Sequence, residues 1–219
     1  MKKIIITGGL GYIGSELCKI YSGYSWNDKV IVIDNRFISE RVNQLRKWNM
    51  EFIHGDILDK ELIKKYCHDA DIVHHLAGIT DVPRVKSEAS VEKEKKIKIV
   101  AEEGTQNILD VIDDNCKIIM PSTHVVYEGI NEVRKDILEN EETCPVLAYG
   151  KSKDYNEKQL KNSGKKFIIL RLGSVYGYST DTARIDIMAN FFSKMASQNG
   201  ILKLFGGGRQ LKSLVPLID

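Results

Sequence analysis

In the segment PVLAYGKSK, residues 145–153, a tyrosine and a lysine stand four residues apart. On a helix this spacing puts Tyr149 and Lys153 on one face. A phenol with an unperturbed pKa of ~10 is a poor base at neutral pH unless a neighbouring positive charge stabilises its phenolate. The pair alone fits a proton-handling site, and equally two ordinary residues on a charged helix, since both types are common in this chain. A second group of residues points to phosphate chemistry. After the apolar run KKIIIT comes TGGLGYIG, with Gly8, Gly11 and Gly14 at intervals of three. Such glycines turn the backbone sharply out of a strand and leave no Cβ where a pyrophosphate approaches. They also open a helix whose free N–H groups face the phosphates. The triplet alone is a weak signal; a strand before it and a helical segment after it make it a dinucleotide-site prediction. Twenty residues past Gly14, the second apolar run ends in Asp34. An acid there accepts hydrogen bonds from both adenosine ribose hydroxyls and repels a 2′-phosphate, which favours NAD. Arg36 keeps NADP as the minor alternative, because a nearby arginine can hold that phosphate.

Six apolar runs must position these residues: 2–7, 29–34, 51–56, 71–78, 116–123 and 166–173. They are continuous rather than alternating, the pattern of parallel strands covered on both faces. Segments near 11–22, 39–48, 59–67, 91–114 and 149–162 are long enough for helical crossovers. The fourth carries Ile97, Val100, Gly104, Ile108 and Val111 at spacings of three and four, one apolar stripe backed by a charged, solvated face. Repeated β–crossover–β units predict an α/β fold with a doubly wound parallel sheet and right-handed crossovers, a Rossmann fold.

The chain has 219 residues, with 32 basic and 30 acidic side chains and a net charge of +2. That balance offers no electrostatic footprint for nucleic acid. No run approaches the ~20 apolar residues of a membrane span. Cys18, Cys67, Cys116 and Cys144 are scattered without a C-x-x-C pair, as expected of reduced thiols in a cytoplasmic protein. His74 and His75 are adjacent, so on a strand they face opposite ways and do not share a metal; no metal site is expected.

Seven motifs, in order along nearly the whole chain, resemble the extended short-chain dehydrogenase/reductase family, the NAD-dependent nucleotide-sugar epimerases and dehydratases of the UDP-galactose 4-epimerase type. The first is the glycine spacing G-x-x-G-x-x-G, in which Gly8, Gly11, Tyr12, Ile13 and Gly14 would bind the cofactor beside Asp34 and Asn35. HGDILD (54–59) is similar to the third-strand motif, whose Asp56 and Ile57 would contact adenine. HLAG (75–78) is similar to the fourth-strand end, where Leu76, Ala77 and Gly78 would line the cofactor. PSTHVVYEG (121–129) resembles the segment that places the catalytic Ser or Thr at Thr123. PVLAYGKSK resembles P-x-x-x-Y-G-x-S-K. LRLGSVYG (170–177) and the final stretch 204–219 resemble two substrate-binding motifs, bringing in Ser174 and Lys212. The resemblance implies that Tyr149 is the acid/base, and that Lys153 binds the nicotinamide ribose and keeps the tyrosine's proton labile. Thr123 would hold the same substrate oxygen. An ammonium and the positive nicotinamide near Tyr149 are expected to bring its pKa toward the working range.

The chain departs from the family pattern at named positions. Ala101 stands where the family has Asn, Ser174 replaces the Asn of N-V-Y-G, and Lys212 replaces an Arg, keeping charge but losing bidentate geometry. His124 and Val125 occupy the positions of the dehydratases' Asp-Glu pair, and Val125 that of the decarboxylases' Glu. The absence of those carboxylates disfavours elimination chemistry. The expectation is an NAD-dependent epimerase acting on a nucleotide-diphosphate sugar through a transient keto intermediate. An NAD(P)-dependent reductase or dehydrogenase of a nucleotide sugar, and a non-catalytic dinucleotide-binding protein on the same fold, are the alternatives. Residues 1–177 form the expected NAD-binding domain. Residues 178–219 form the start of a smaller substrate-binding domain that relatives continue beyond Asp219, so the sequence is expected to be incomplete. Relatives pack the fourth and fifth crossover helices into a homodimer, the expected assembly here.

Overall fold

A computed structural model of the chain describes residues 1–24, 27–80, 90–179 and 184–219. Strands β1 (Lys3–Thr7), β2 (Lys29–Asp34), β3 (Glu51–His54), β4 (Ile72–His75), β5 (Lys117–Thr123) and β6 (Lys166–Leu172) form one sheet in the order β3-β2-β1-β4-β5-β6. All its neighbouring pairs are parallel. Between them run α1 (Tyr12–Gly23), α2 (Ser39–Lys47), α3 (Lys60–Cys67), α4 (Val91–Leu109) and α5 (Ala148–Asn162). Alternation along β1 shows how both faces are filled. Ile4 and Ile6 pack with Cys18 of α1 and with Val42 and Leu45 of α2. Ile5 packs on the other side with Ile63 of α3, Ile108 of α4 and Leu160 of α5. The predicted doubly wound sheet is present, and the chain reverses its direction of winding between β1 and β4. In such sheets the crevice beyond the strand ends at the reversal is where ligands bind.

The differences from expectation are local. The fourth apolar run forms a strand only to His75, and Leu76–Gly78 leave the sheet. The fourth helix stops at Leu109 rather than running to 114. Asp110, Asp113 and Asp114 follow, negative charges that oppose the partial negative end of a helix. β6 reads as a covered strand, yet Phe167, Ile168 and Leu170 are exposed, and it forms an edge of the sheet among the described residues. After it, β7 (Ser174–Tyr176) pairs with β8 (Leu214–Pro216) in a small second sheet, with α6 (Met188–Ser197) between them. β7 falls within the residues assigned to the first domain but does not join the large sheet.

His74 and His75 do face opposite ways. His74 Nε2 pairs with the Tyr21 hydroxyl at 2.7 Å on one face. On the other, His75 is held between the hydroxyls of Thr7 (3.0 Å) and Thr105 (2.9 Å). All four cysteines are free. Among the described residues no helix is long and apolar enough to cross a membrane.

Candidate active site

A cleft of about 1020 Å³ opens at the reversal point and gathers nearly every predicted residue. Its first wall is the glycine turn. Gly8 has φ +71°, and a Cβ there would come within 2.7 Å of the Ala77 backbone nitrogen, so the turn and the β4 exit pack backbone on backbone. A Cβ on Gly14 would lie 2.5 Å from the Gly8 carbonyl oxygen. Gly8, Gly11, Tyr12, Ile13 and Gly14 all face the cleft. No side chain caps the N-terminus of α1 and no acid occupies its first turn. The open N–H groups and the cradle that side chains would fill suit a pyrophosphate.

The second wall comes from the ends of β2 and β3. Asp34 is 5% exposed, and its carboxylate accepts the Leu10 N–H at 3.0 Å, tying strand β2 to the glycine turn. Arg36 turns back on the same carboxylate, with Nε and Nη2 at 3.2 and 3.3 Å. The guanidinium that kept NADP as an alternative is thus directed at Asp34. Asn35 donates to Asp56 at 2.9 Å, and Asp56 accepts the Leu58 N–H at 3.0 Å. Ile57 packs against Gly104 of α4, where a Cβ would approach it to 2.3 Å, and its carbonyl is held by Asn107 at 3.0 Å. Asn35, Asp56, Ile57, Leu76, Ala77 and Gly78 all line the cleft. These features fit an adenosine bound by NAD.

The third wall carries Thr123, Tyr149, Lys153 and Ser174. Thr123 ends β5, is buried, and accepts the Val125 N–H at 3.2 Å, which caps the short helical turn His124–Tyr127. Its hydroxyl faces Tyr149 closely enough to pull the phenol's pKa down. Burial raises the Tyr149 pKa, against the pull of the Arg184 charge and the Thr123 hydroxyl. Burial outweighs the nearby charges, and the nearby cation acting on Tyr149 is Arg184. Burial also pushes the Lys153 ammonium down to about 8, opposed by Glu157. His124 lines the cleft with its Nδ1 3.2 Å from the Leu172 carbonyl, a tether between the turn and β6.

Lys212 is exposed and does not line the cleft. Arg184, by contrast, is a cleft residue without a motif to announce it. Its backbone is fixed from the opposite wall: Asn190 of α6 donates to the Arg184 carbonyl at 2.8 Å, accepts the Gly177 N–H at 2.9 Å and reaches the Tyr12 hydroxyl at 3.4 Å. Tyr12 thus belongs both to the glycine turn and to the support of the segment opposite.

The strand order and the cleft at the winding reversal make this a dinucleotide-binding α/β protein of the Rossmann type. Its kin are more particular. The model of the NAD dependent epimerase/dehydratase family matches residues 4–216, and the chain belongs to that family. A Methanocaldococcus jannaschii protein of the UDP-glucose 4-epimerase kind is 31% identical over 226 residues, covering 99% of this chain and 70% of its own length. The CDP-paratose 2-epimerase of Salmonella typhi is 28% identical over 252 residues, covering 99% of this chain and 72% of its own. The solved structure of the UDP-glucuronic acid 4-epimerase from Bacillus cereus, in complex with UDP-glucuronic acid and NAD, matches with a TM-score of 0.79 at 27% identity. That match covers 98% of this chain and 69% of the other.

Proposed function

We propose that the chain is an NAD-dependent epimerase of a nucleotide-diphosphate sugar, with Thr123, Tyr149 and Lys153 as its catalytic residues. One observation carries the proposal: these three side chains share a single cleft with the glycine turn and Asp34. The glycine turn and the open end of α1 hold the pyrophosphate, Asp34 the adenosine ribose, Asp56 and Ile57 the adenine, and Leu76–Gly78 the floor between them. NAD, when bound, supplies a hydride acceptor and donor beside the sugar. Tyr149, once ionised to its phenolate, takes the proton of the sugar hydroxyl and later returns it. Thr123, beside Tyr149 in the cleft, receives the same oxygen and fixes its direction. Lys153, one helical turn along α5 from Tyr149, contributes positive charge, which favours the phenolate. Ser174 lies where it can meet the substrate. His124 and Val125 provide no carboxylate pair, so removal of water is not supported. The four free cysteines support a reducing compartment, the cytoplasm. A homodimer through the outer faces of α4 and α5 belongs to the same proposal.

The test is incubation with NAD and, in turn, UDP-glucose, UDP-glucuronic acid and UDP-N-acetylglucosamine, with proton NMR of the sugar and absorbance at 340 nm followed together. The proposal expects conversion of one of these to its epimer with no net change at 340 nm. A stoichiometric change in absorbance would identify a reductase or dehydrogenase instead.

A further inference from the structure

Glu157 is 1% exposed, the most buried acid among the described residues, and no motif includes it. Ser122 Oγ donates to its Oε1 at 2.5 Å, and Arg171 of β6 donates from Nη2 to Oε2 at 2.6 Å and from Nε to Oε1 at 3.0 Å. Burial pushes its carboxyl up, but the Arg171 and Ser122 bonds outweigh this and hold it below the usual carboxylate range. A buried ion pair of this kind is weak evidence for stability, because desolvation offsets its attraction. Its place in the fold suggests another use. Tyr149, Lys153 and Glu157 follow one another at four-residue intervals on one face of α5. Ser122 is the residue before Thr123 in β5. One carboxylate therefore touches or neighbours the supports of all three proposed catalytic groups.

Resting on the functional reading above, we propose that Glu157 is a positioning residue whose negative charge keeps Lys153 an ammonium and whose bond to Ser122 sets Thr123 against Tyr149. The other groups near Lys153 do not take that role. His75 of β4 is kept neutral by burial and by the Lys153 charge, and both its ring nitrogens are occupied by threonines. Burial raises the Tyr149 pKa, so before substrate binds its phenol brings no negative charge to Lys153. Lys95, Lys96 and Arg184 on the rim of the cleft are positive, and Glu92 lies in the first turn of α4, far along the helix from Gly104 and Thr105. Arg171 is committed to Glu157 and to the Tyr127 hydroxyl.

The experiment is an NMR titration of the whole chain labelled with ¹³C at lysine Cε, comparing wild type with Glu157→Gln. Alongside it runs the pH profile of kcat/KM on the sugar the protein turns over. Lys153 is expected to titrate near 8 in the wild type. In Glu157→Gln its proton affinity should fall at least about threefold, and the alkaline limb of the profile should move to lower pH with it. If Glu157→Gln does not fold, Glu157→Gln/Arg171→Met leaves no lone buried guanidinium, and Lys153's proton affinity should still fall, by less than in the single variant because a cation goes with the carboxylate. An unmoved Lys153 titration, with only stability or overall rate reduced, overturns the inference and leaves Glu157 a packing residue. The two readings fail separately. A shifted Lys153 together with a fully active Tyr149→Phe would sink the functional reading alone, whereas an unmoved Lys153 with an inactive Tyr149→Phe would sink this inference alone.

Discussion

Between pH 7 and pH 5 the two adjacent histidines of β4 should remove stability that no surface charge replaces. Burial lowers His74 to about 4 and His75 to about 3, from an ordinary 6.5, with the Lys153 charge adding to the effect at His75. The sign follows from which state takes the proton first. Below pH 6.5 the unfolded chain protonates both imidazoles while the folded chain keeps them neutral, so acid favours unfolding, and the loss is complete only below the folded values. Each imidazole then contributes a loss of about 2 kcal/mol between pH 7 and pH 5, and the two together about 4 kcal/mol. The acids held below their ordinary values, including Glu157 and Asp69, give up their stability as pH falls below about 4.5, mostly outside this window. Urea unfolding followed by circular dichroism at the two pH values measures the drop. His74→Gln/His75→Gln is the control, and its stability should be nearly flat across the same interval, whatever its absolute value. A wild-type loss under about 1 kcal/mol, or an equal loss in the double variant, would refute the reasoning.

Two further substitutions probe the cleft. Gly14→Ala puts a Cβ 2.5 Å from the Gly8 carbonyl and 2.7 Å from the Gly9 Cα, backbone that has nowhere to go. Strain of about 1–3 kcal/mol in the turn should weaken NAD binding by roughly 5- to 150-fold, read by fluorescence titration, while unchanged affinity would remove the turn from the site. Arg184→Gln removes the charge that pulls Tyr149 down, so the limb of the kcat/KM profile assigned to Tyr149 should move to higher pH. An unmoved limb would separate Arg184 from the phenol.

The residues legible in the sequence were those whose role is fixed by neighbours close along the chain. Gly8 and Gly14 are needed by the turn itself, Asp34 by its place at a strand end, and Tyr149 and Lys153 by one turn of helix. Sixteen of the seventeen predicted site residues line one cleft, and Lys212 stands outside it. What the sequence withheld depends on distant packing. β4 ends at His75, where the chain packs its Leu76–Ala77 backbone against Gly8, and nothing in HHLAG marks it. The exposure of Ile168 and Leu170 reflects an edge position that an apolar run cannot announce. Arg184 is placed by Asn190, across a turn of irregular chain. Glu157 was within reach, since it continues the spacing of Tyr149 and Lys153 by four, but its partners Ser122 and Arg171 come from two other elements. The rise of the Tyr149 pKa on burial stayed out of reach for a related reason. Helical spacing shows which charges are near, whereas burial, the larger effect, needs the fold.

The central claim is that Tyr149 moves the substrate proton in this cleft, and the variant Tyr149→Phe tests it most directly. Turnover of the sugar identified by NMR should fall by roughly 10²- to 10⁴-fold, with NAD binding and thermal stability retained, because only the hydroxyl is removed. Turnover within a few-fold of wild type, in a protein that still binds NAD, would contradict the account.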